Sequence, residues 1–392
     1  MLSISNIFCS DESGNERLRY GHRANGQETE AIPRPVVVWA VTQACNLRCA
    51  HCYASATAHS SPEELTFGEG VRLLNDLRAF GVPAILFSGG EPLSNSDTPE
   101  LIGYAHSIGL SPTLSTNGLL IDGPMAKRLA RLGLKYAGIS LDGRAERHDK
   151  LRGQQGAFMG ALAAIDRCRQ EGIKVGLRFT VHALNVADLD EIFNICLEHG
   201  IERLCIYHLA YSGRGGKMQK VDLSHEETRG VLDHIIHRTR AIHQSGQKLE
   251  VLTVGNHADA AYALLTLERE NSALTSAAWK RLRATGGNRS GCNIASIGPK
   301  GDVHYDQFSW HYNCGNVREE RFSRIWTGAF DPRLAILRDR AAHLPARCRE
   351  CRFLDVCNGN LRSRAEAASG DWLGVDPACY LRQDERTPAA IH

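Results

Sequence analysis

The sequence has no long hydrophobic run, no strong excess of charge and no basic leader at its start. None of its apolar stretches approaches the roughly 18 residues that a membrane-spanning helix needs. A formal net charge of +2 over 392 residues gives no general electrostatic case for nucleic acid or an anionic membrane as partner. Residues Met1–Cys9 lack the composition of a signal peptide, so we expect a cytoplasmic protein.

Cysteine, by contrast, is plentiful. The chain has 13 cysteines, and in a reducing cytosol these are metal ligands or buried thiols more often than disulfides. Cys168, Cys196 and Cys205 lie in apolar stretches and are expected to be small buried residues, and isolated Cys9 is assigned no role. The others form three groups, which are Cys45, Cys49 and Cys52, then Cys292 and Cys314, then Cys348, Cys351, Cys357 and Cys379.

The first group follows an apolar run, Val36–Thr42, and spaces its thiols by four and three residues. Three thiols at this spacing can converge on one soft metal centre, and no fourth ligand is evident nearby. A [4Fe–4S] cluster held by three cysteines leaves one iron open to a ligand that is not protein. Two alternatives stay open: a loop with three buried cysteines, or a zinc site completed by His51 or a more distant residue.

Apolar strand-like runs alternate with amphipathic helical segments from residue 36 to residue 208. Six such repeats predict a parallel sheet with right-handed crossovers. We expect an α/β fold in which the strands curl into a partial (β/α)6 barrel, with the chemistry at the C-terminal ends of the strands. Strands are predicted at 36–42, 84–88, 111–115, 136–141, 174–181 and 203–208, and helices at 62–80, 98–108, 122–132, 157–171 and 187–199.

Glycines and small polar residues follow the predicted strands where each one ends. Each motif alone is a common turn, but their recurrence at successive strand ends indicates a ligand that approaches the backbone. The motifs are the three cysteines after strand one, Ser88–Pro92 after strand two, Ser115–Gly118 after strand three, Ser140–Gly143 after strand four, Arg178 within strand five, and Tyr207, His208 and Ser212–Gly215 after strand six.

The cysteine spacing together with Gly-Gly-Glu-Pro at 89–92 resembles the signature of the radical S-adenosylmethionine (SAM) enzymes. The resemblance implies that the first cluster binds SAM through its open iron, so that one electron cleaves a C–S bond of SAM. His51 stands where that family usually has an aromatic residue. The resemblance further implies that Gly89, Gly90, Glu91 and Pro92 meet the SAM amino group, Ser115 and Asn117 lie near the ribose, and Ser140, Asp142 and Arg178 contact the ribose or carboxylate.

The last four cysteines combine one short pair, a medium gap and a long return. This suits a second cluster with full protein ligation, and zinc is the competitor. The segment resembles the auxiliary-cluster (SPASM or twitch) extension of many radical SAM proteins. Cys292 and Cys314 are left as ligands of a further cluster, an extra ligand pair or spare thiols. The predicted domains are an arm at 1–33, the barrel at 34–216, a helical bridging region at 217–288 and an auxiliary-cluster domain at 289–392.

A narrower resemblance extends over nearly the whole chain. Leu18–Gly21, Tyr211–Gly215, Asp306–Phe308 and Asp376–Tyr380 are similar to the radical SAM proteins of alternative haem and haem d1 biosynthesis. The likeness is greatest to the haem synthases that oxidatively decarboxylate two propionates of iron-coproporphyrin III, while sibling enzymes process didecarboxysirohaem or haem d1 by side-chain removal. Cys314 and Tyr305 depart from the usual pattern, beside the presumed substrate.

The resemblance implies an iron tetrapyrrole substrate and an external electron donor such as flavodoxin or ferredoxin, with no nucleic acid or membrane as partner. Hydrogen abstraction from a propionate, followed by loss of CO2, would pass the surplus electron to the auxiliary cluster. Carboxylates call for paired cationic donors. The candidates for substrate contact are Arg178, Arg214, Arg362, Arg364, His304, His311 and Tyr312, each of which has an ordinary surface or hydrogen-bonded side chain as its alternative.

Two rival functions remain at this stage. A radical SAM peptide maturase often has the same two-cluster layout, but the short polar segment before strand one argues against its usual peptide-recognition domain. A non-catalytic iron–sulfur or zinc scaffold would leave the Gly-Gly-Glu-Pro motif and the polar strand ends without a purpose.

Overall fold

The computed structural model describes residues 1–9, 33–328 and 330–387. The predicted segment Leu18–Gly21 and most of the predicted arm lie outside these residues. Contacts divide the chain into two compact units, and one of the boundaries falls between Arg178 and Phe179, within a strand. In terms of the described residues, the first unit holds 33–178, 290–328 and 330–338, and the second holds 1–9, 179–289 and 339–387.

The six predicted strand positions and the α/β alternation are confirmed. The strands read as nearly continuous apolar runs because they are buried on both faces, as parallel sheets require; Val37, Ile85 and Leu114 are each 0% exposed. The strands are β1 Leu2–Ser3, β2 Val36–Thr42, β3 Ile85–Gly89, β4 Pro112–Thr116, β5 Tyr136–Ser140, β6 Lys174–Val181, β7 Arg203–His208, β8 Glu250–Val254, β9 Ile294–Ile297 and β10 Val303–His304.

The helices begin and end where local capping allows. The helix predicted from residue 62 starts at Phe67, because Thr66 and Glu69 form a capping box there. Ser224 and Glu227 cap a second helix in the same way. The α-helices are Ile4–Phe8, Phe67–Phe80, Thr98–Ser107, Gly123–Arg131, Ala145–Arg152, Ala157–Gln170, Leu189–Glu198, His225–Gln244, Ala258–Arg269, Thr275–Thr285, Phe322–Thr327, Pro332–Arg338, Arg340–His343, Ala346–Arg349, Leu354–Cys357, Arg362–Ser369 and Gln383–Arg386, with 3-10 turns at Pro92–Ser94, Val186–Asp188 and Gly213–Val221.

The first unit is built on a parallel sheet. Its strands pair in the order β6, β5, β4, β3, β2 and β9, and β10 pairs antiparallel with β9. The register sets Ser140 opposite Arg178. Strands β9 and β10 form a hairpin that extends the sheet beyond β2. All parallel strands of this unit present their C-terminal ends at the same edge.

The second unit has its own strands and helices. Strand β8 pairs in parallel with β7 and antiparallel with the short β1. Helices are present in the predicted bridging region, and β8 lies between two of them. The predicted domain boundaries stay a prediction, since these units are defined by contacts rather than by sequence order. Within the described residues, no helix is both long and apolar enough to span a membrane.

Candidate functional site

The first cysteine group lies in the loop after β2, in the first unit. Cys49 is buried, whereas Cys45 and Cys52 are partly exposed. The loop is held by backbone bonds to the end of the helix Ala145–Arg152: the Arg48 N–H donates to the Arg152 carbonyl at 3.2 Å and the Ala50 N–H to the Leu151 carbonyl at 2.9 Å. The position of the thiols therefore depends on this short helix.

Three N–H groups point at the sulfurs of this loop. The backbone N–H of Leu47 donates to Cys45 Sγ at 3.4 Å, Asn117 Nδ2 lies 3.9 Å from the same sulfur, and Arg152 Nη1 donates to Cys49 Sγ at 3.5 Å. Burial raises the pKa of the Cys45 thiol to about 11 and raises that of Cys49 as well. Thiolates in these positions thus need a cationic partner, and N–H donors to sulfur are what cluster ligands receive.

The Gly-Gly-Glu-Pro motif is in direct contact with the start of the cysteine loop. The Gly90 N–H donates to the Thr42 carbonyl at 2.8 Å, and the Glu91 N–H donates to the Ala44 carbonyl at 2.7 Å. A β-carbon at Gly89 would stand 2.5 Å from the Thr42 carbonyl oxygen, and Gly89 also has φ +126°. Only glycine permits this approach, so the two motifs form one backbone structure.

Glu91 ties the end of β3 to the end of β4. Its carboxylate is 1% exposed and accepts hydrogen bonds from Thr116 Oγ1 at 2.7 Å, the Asn117 N–H at 2.8 Å and the Leu93 N–H at 3.3 Å. Burial raises its pKa to about 7, although these three donors act in the opposite direction. The side chain of Glu91 is therefore held inside the strand-end loops.

Arg178 and Ser115 are brought together at the strand ends, where Arg178 Nη1 donates to Ser115 Oγ. A β-carbon at position 138 would stand 2.7 Å from Arg178 Nε, so Gly138 provides the space through which this side chain passes. Asn117 donates to Asn46 at 2.8 Å, beside the first cysteine. The predicted SAM contacts Ser115, Asn117, Ser140 and Arg178 thus share one edge of the sheet with the cysteine loop.

Asp142 has a different setting from the one predicted. Its carboxylate is 0% exposed, and Oδ2 lies 2.6 Å from Arg152 Nη2 and 3.2 Å from His51 Nε2. Burial by itself would raise the pKa of Asp142, but Arg152 and His51 outweigh it and hold this pKa far below its usual range. Asp142 is therefore occupied by the cysteine loop and its support, and a SAM contact for it stays a prediction.

The second cysteine group lies in the second unit. Cys348, Cys351, Cys357 and Cys379 line one cavity with about 400 Å³ of unfilled space, part of it open to solvent. Four thiols around one cavity suit a fully ligated cluster. Across residues 1–9, 33–328 and 330–387, no group of three or more His, Cys, Asp and Glu side chains is close enough to hold a single metal ion.

A buried arginine supports this fit. Arg362 is 0% exposed and lies near Cys348 and Cys357. Its Nη1 donates to the Trp372 and Gly374 carbonyls, while Nε and Nη2 have no partner within the described residues. Leaving buried N–H groups of a cation unsatisfied is costly, and an anionic cluster in the cavity would offset that cost.

Cys292 and Cys314 are buried in the first unit. The thiol of Cys292 donates to the Leu337 carbonyl at 3.7 Å. Burial, together with the nearby carboxylate of Asp331, raises the pKa of Cys314 to about 12. Ligation of a cluster by these two thiols stays a prediction.

The residues predicted to contact substrate have different surroundings in the structure. His304 is buried and its Nδ1 lies 2.7 Å from the Tyr312 carbonyl, and the rings of His311 and Tyr312 are 4.2 Å apart. Arg214 is half-buried in its 3-10 turn. Arg364 is fully buried, and Asp376 with two backbone carbonyls takes up its guanidinium, which argues for a structural role rather than a carboxylate contact.

Sequence reasoning missed Arg152, whose position before a glycine reads only as a helix end. It placed His208 only among the strand-end residues that a ligand would approach, and it gave no role to Asp259, with which His208 forms a buried pair at the end of β7. His208 Nε2 lies 2.8 Å from Asp259 Oδ2, and Tyr380 donates to Asp259 Oδ1 at 2.8 Å. The dipeptide Tyr207–His208 was the only signal of it.

The chain is similar in sequence to several known proteins. Residues 39–196 match the radical SAM superfamily. The chain is 47% identical to Fe-coproporphyrin III synthase of Methanosarcina barkeri over 98% of both chains. It is 41% identical to pre-heme d1 synthase of Dinoroseobacter shibae over 90% of this chain and 88% of that protein. An AdoMet-dependent heme synthase of Oleidesulfovibrio alaskensis is 30% identical over 91% and 89%.

A solved structure shares the fold. SuiB of Streptococcus suis bound to S-adenosylmethionine matches 89% of this chain and 78% of its own, with a TM-score of 0.71 and 18% identity. At that identity the likeness supports the fold alone.

Proposed function

The chain belongs to the radical SAM superfamily, and from this premise we propose that it removes side chains from an iron tetrapyrrole in haem biosynthesis. The observation that carries the proposal is the 47% identity, over 98% of both chains, to Fe-coproporphyrin III synthase. We further propose that the product is Fe-coproporphyrin III and that the substrate is didecarboxysirohaem, the compound processed by the sibling enzymes described above.

This choice differs from oxidative decarboxylation of iron-coproporphyrin III, the reaction preferred from the sequence. That reaction belongs to the haem synthases, and the AdoMet-dependent heme synthase of Oleidesulfovibrio alaskensis is 30% identical to this chain. In the name of the 47% identical relative, Fe-coproporphyrin III is what is made rather than what is consumed. A reaction of the pre-heme d1 synthase kind is the second candidate, supported by 41% identity.

The residues of this chain have separate roles in the proposal. Cys45, Cys49 and Cys52 hold the first [4Fe–4S] cluster, which when bound supplies the electron that cleaves SAM and so generates the hydrogen-abstracting radical. Gly89 and Gly90 allow the backbone after β3 to lie against the cysteine loop. The SAM site is formed by Glu91, Ser115, Asn117, Ser140 and Arg178. Pro92, the last residue of the Gly-Gly-Glu-Pro motif, lies at its end.

Arg178 is the proposed partner of the SAM carboxylate, because its guanidinium fork suits a planar anion. Arg214, His311 and Tyr312 are proposed to contact the substrate, whose carboxylates need cationic or hydrogen-bonding partners. Cys348, Cys351, Cys357 and Cys379 hold the auxiliary cluster. An external flavodoxin or ferredoxin is proposed as the electron donor.

The test is anaerobic reconstitution of the full chain, followed by incubation with SAM and dithionite. Didecarboxysirohaem and iron-coproporphyrin III are supplied in separate reactions, and tetrapyrroles and 5′-deoxyadenosine are followed by mass spectrometry. We expect Fe-coproporphyrin III to form in the first reaction and no vinyl product in the second. Conversion of iron-coproporphyrin III to haem would reverse the assignment, and cleavage of SAM without change to either tetrapyrrole would reject both.

A further inference from the structure

We propose that Arg152 is a positioning residue for the first cluster, holding the ligand Cys49 through an N–H···S bond and raising the potential at which that cluster is reduced. The inference rests on the proposed role of Cys49 as a cluster ligand.

The guanidinium of Arg152 bridges a sulfur and a carboxylate. Nη1 donates to Cys49 Sγ at 3.5 Å and Nη2 lies 2.6 Å from Asp142 Oδ2. Arg152 is 7% exposed and Asp142 is 0% exposed, so water competes little for either bond. A planar fork can make both contacts at once, whereas a lysine ammonium is a single point charge.

The carboxylate that fixes Arg152 is itself held on two sides. His51 Nε2 lies 3.2 Å from the same Oδ2 atom. The backbone N–H of Asp142 donates to Nδ1 of His148 at 2.9 Å, and His148 shares a helix face with Arg152 four residues later. The guanidinium therefore has one orientation, directed at Cys49.

The backbone of the same residue supports the same loop. The carbonyl of Arg152 accepts the Arg48 N–H at 3.2 Å. A β-carbon at Gly153, whose φ is +72°, would stand 3.3 Å from the Arg48 carbonyl oxygen. One residue thus fixes both the peptide before Cys49 and the sulfur of Cys49.

The electrostatic consequence follows from the sign of the charge. Adding an electron to a thiolate-ligated cluster increases its negative charge, and a nearby buried cation with an N–H directed at a ligand sulfur stabilises the reduced form. Because Arg152 lies between the sulfur and Asp142, its positive end is nearer the cluster ligand than the carboxylate is. Its loss should make the cluster harder to reduce.

The experiment is an EPR-monitored redox titration of the reconstituted full-length protein, with the first cluster identified by the spectral change that SAM causes. Arg152→Gln should bind the same amount of iron yet show at least tenfold less reduced cluster at a fixed potential, which corresponds to a shift of about 59 mV for one electron. Arg152→Lys should recover part of that loss. Arg203→Gln is the matched control, because Arg203 is a buried arginine paired with Glu250 at 2.5 Å in the second unit; it should leave the potential unchanged.

An unchanged potential in Arg152→Gln, with full iron content, would overturn this inference but leave the proposed function standing. If Arg152→Gln does not assemble the cluster, Arg152→Lys decides: iron content restored with a lowered potential supports the inference, and an unaltered potential rejects it. Failure of the unsubstituted protein to form a SAM-responsive cluster would overturn the proposed function and the inference together.

Discussion

Gly90 and Ala44 are in backbone contact, and a β-carbon on Gly90 would stand 2.1 Å from the Ala44 carbonyl oxygen. The same carbonyl accepts the N–H of Glu91 at 2.7 Å. The Gly-Gly-Glu-Pro motif and the cysteine loop therefore cannot move independently, and their relative position is built into the backbone rather than into flexible side chains.

Gly90→Ala should separate these two motifs. The added methyl group must displace backbone, and a misplacement of about 1 Å at a reacting centre costs roughly 100-fold in rate. We expect that loss in 5′-deoxyadenosine formation, measured by chromatography with dithionite as reductant. Gly123→Ala is the matched control, since a β-carbon there meets no atom within 4 Å. Equal rates in the two variants would contradict the contact.

Glu91→Gln should change how stability depends on pH. Because burial raises the pKa of Glu91 from 4.5 to about 7, the folded protein binds a proton that the unfolded chain has lost between these values. Stability from this group is therefore present below about pH 4.5 and lost as pH rises through 7, by roughly 3 kcal/mol. Glutamine does not titrate, so urea unfolding at pH 5 and pH 8 should show this fall only with Glu91 present. Parallel pH dependence in both proteins would refute the assignment.

Arg364→Leu should lower the free energy of unfolding rather than act directly on tetrapyrrole binding. Arg364 and Asp376 are 0% and 1% exposed in their side chains and 2.8 Å apart, and removing one partner of such a pair costs about 3–5 kcal/mol. The control is Arg382→Leu, because Arg382 meets Glu226 at 3.3 Å on the surface, and exposed pairs contribute about 0–1 kcal/mol. Urea unfolding of the two variants gives the two free energies to be compared. Normal stability with weakened tetrapyrrole binding would return Arg364 to the list of substrate contacts.

The positions of the strands, and the edge of the sheet at which the motifs lie, could be predicted from the sequence. Buried parallel strands leave apolar runs, and glycine is required where backbones meet, as at Gly89 and Gly90. Long-range pairing was not predictable. The pairing of β9 with β2 could not be read from the sequence, because nothing local to Ile294–Ile297 indicates which strand lies beside it.

The polar residues were harder to assign than the strands. Asp142 follows β5 just as a ligand-binding residue would, yet it faces Arg152 and His51. The helix Ala145–Arg152 was also missed, since it is short and strongly polar, and its buried residues are His148, Leu151 and Arg152 rather than an apolar stripe. Whether a polar side chain at a strand end contacts a ligand or a neighbouring side chain depends on contacts with distant parts of the chain, such as the one between Asp142 and His51.

The two thiol groups should be separable by their iron content and by SAM cleavage. Cys49→Ala should abolish 5′-deoxyadenosine formation, because the first cluster carries the open iron. Cys357→Ala should lower iron by the auxiliary cluster and spare part of the cleavage, because Cys357 lines the cavity of the second unit. Cys168→Ala is the matched control, since Cys168 is 0% exposed within a helix; it should change neither quantity.

The paired measurement decides between a SAM enzyme and a thiol scaffold. In a scaffold, both ligand variants lose iron in proportion and neither has cleavage to lose. In the proposed enzyme, SAM cleavage requires Cys49, whereas tetrapyrrole turnover requires both groups, because a side chain released as a radical after hydrogen abstraction must take up one electron and one proton, and the auxiliary cluster can supply that electron. Full SAM cleavage in Cys49→Ala would show that the open iron is not in the first loop.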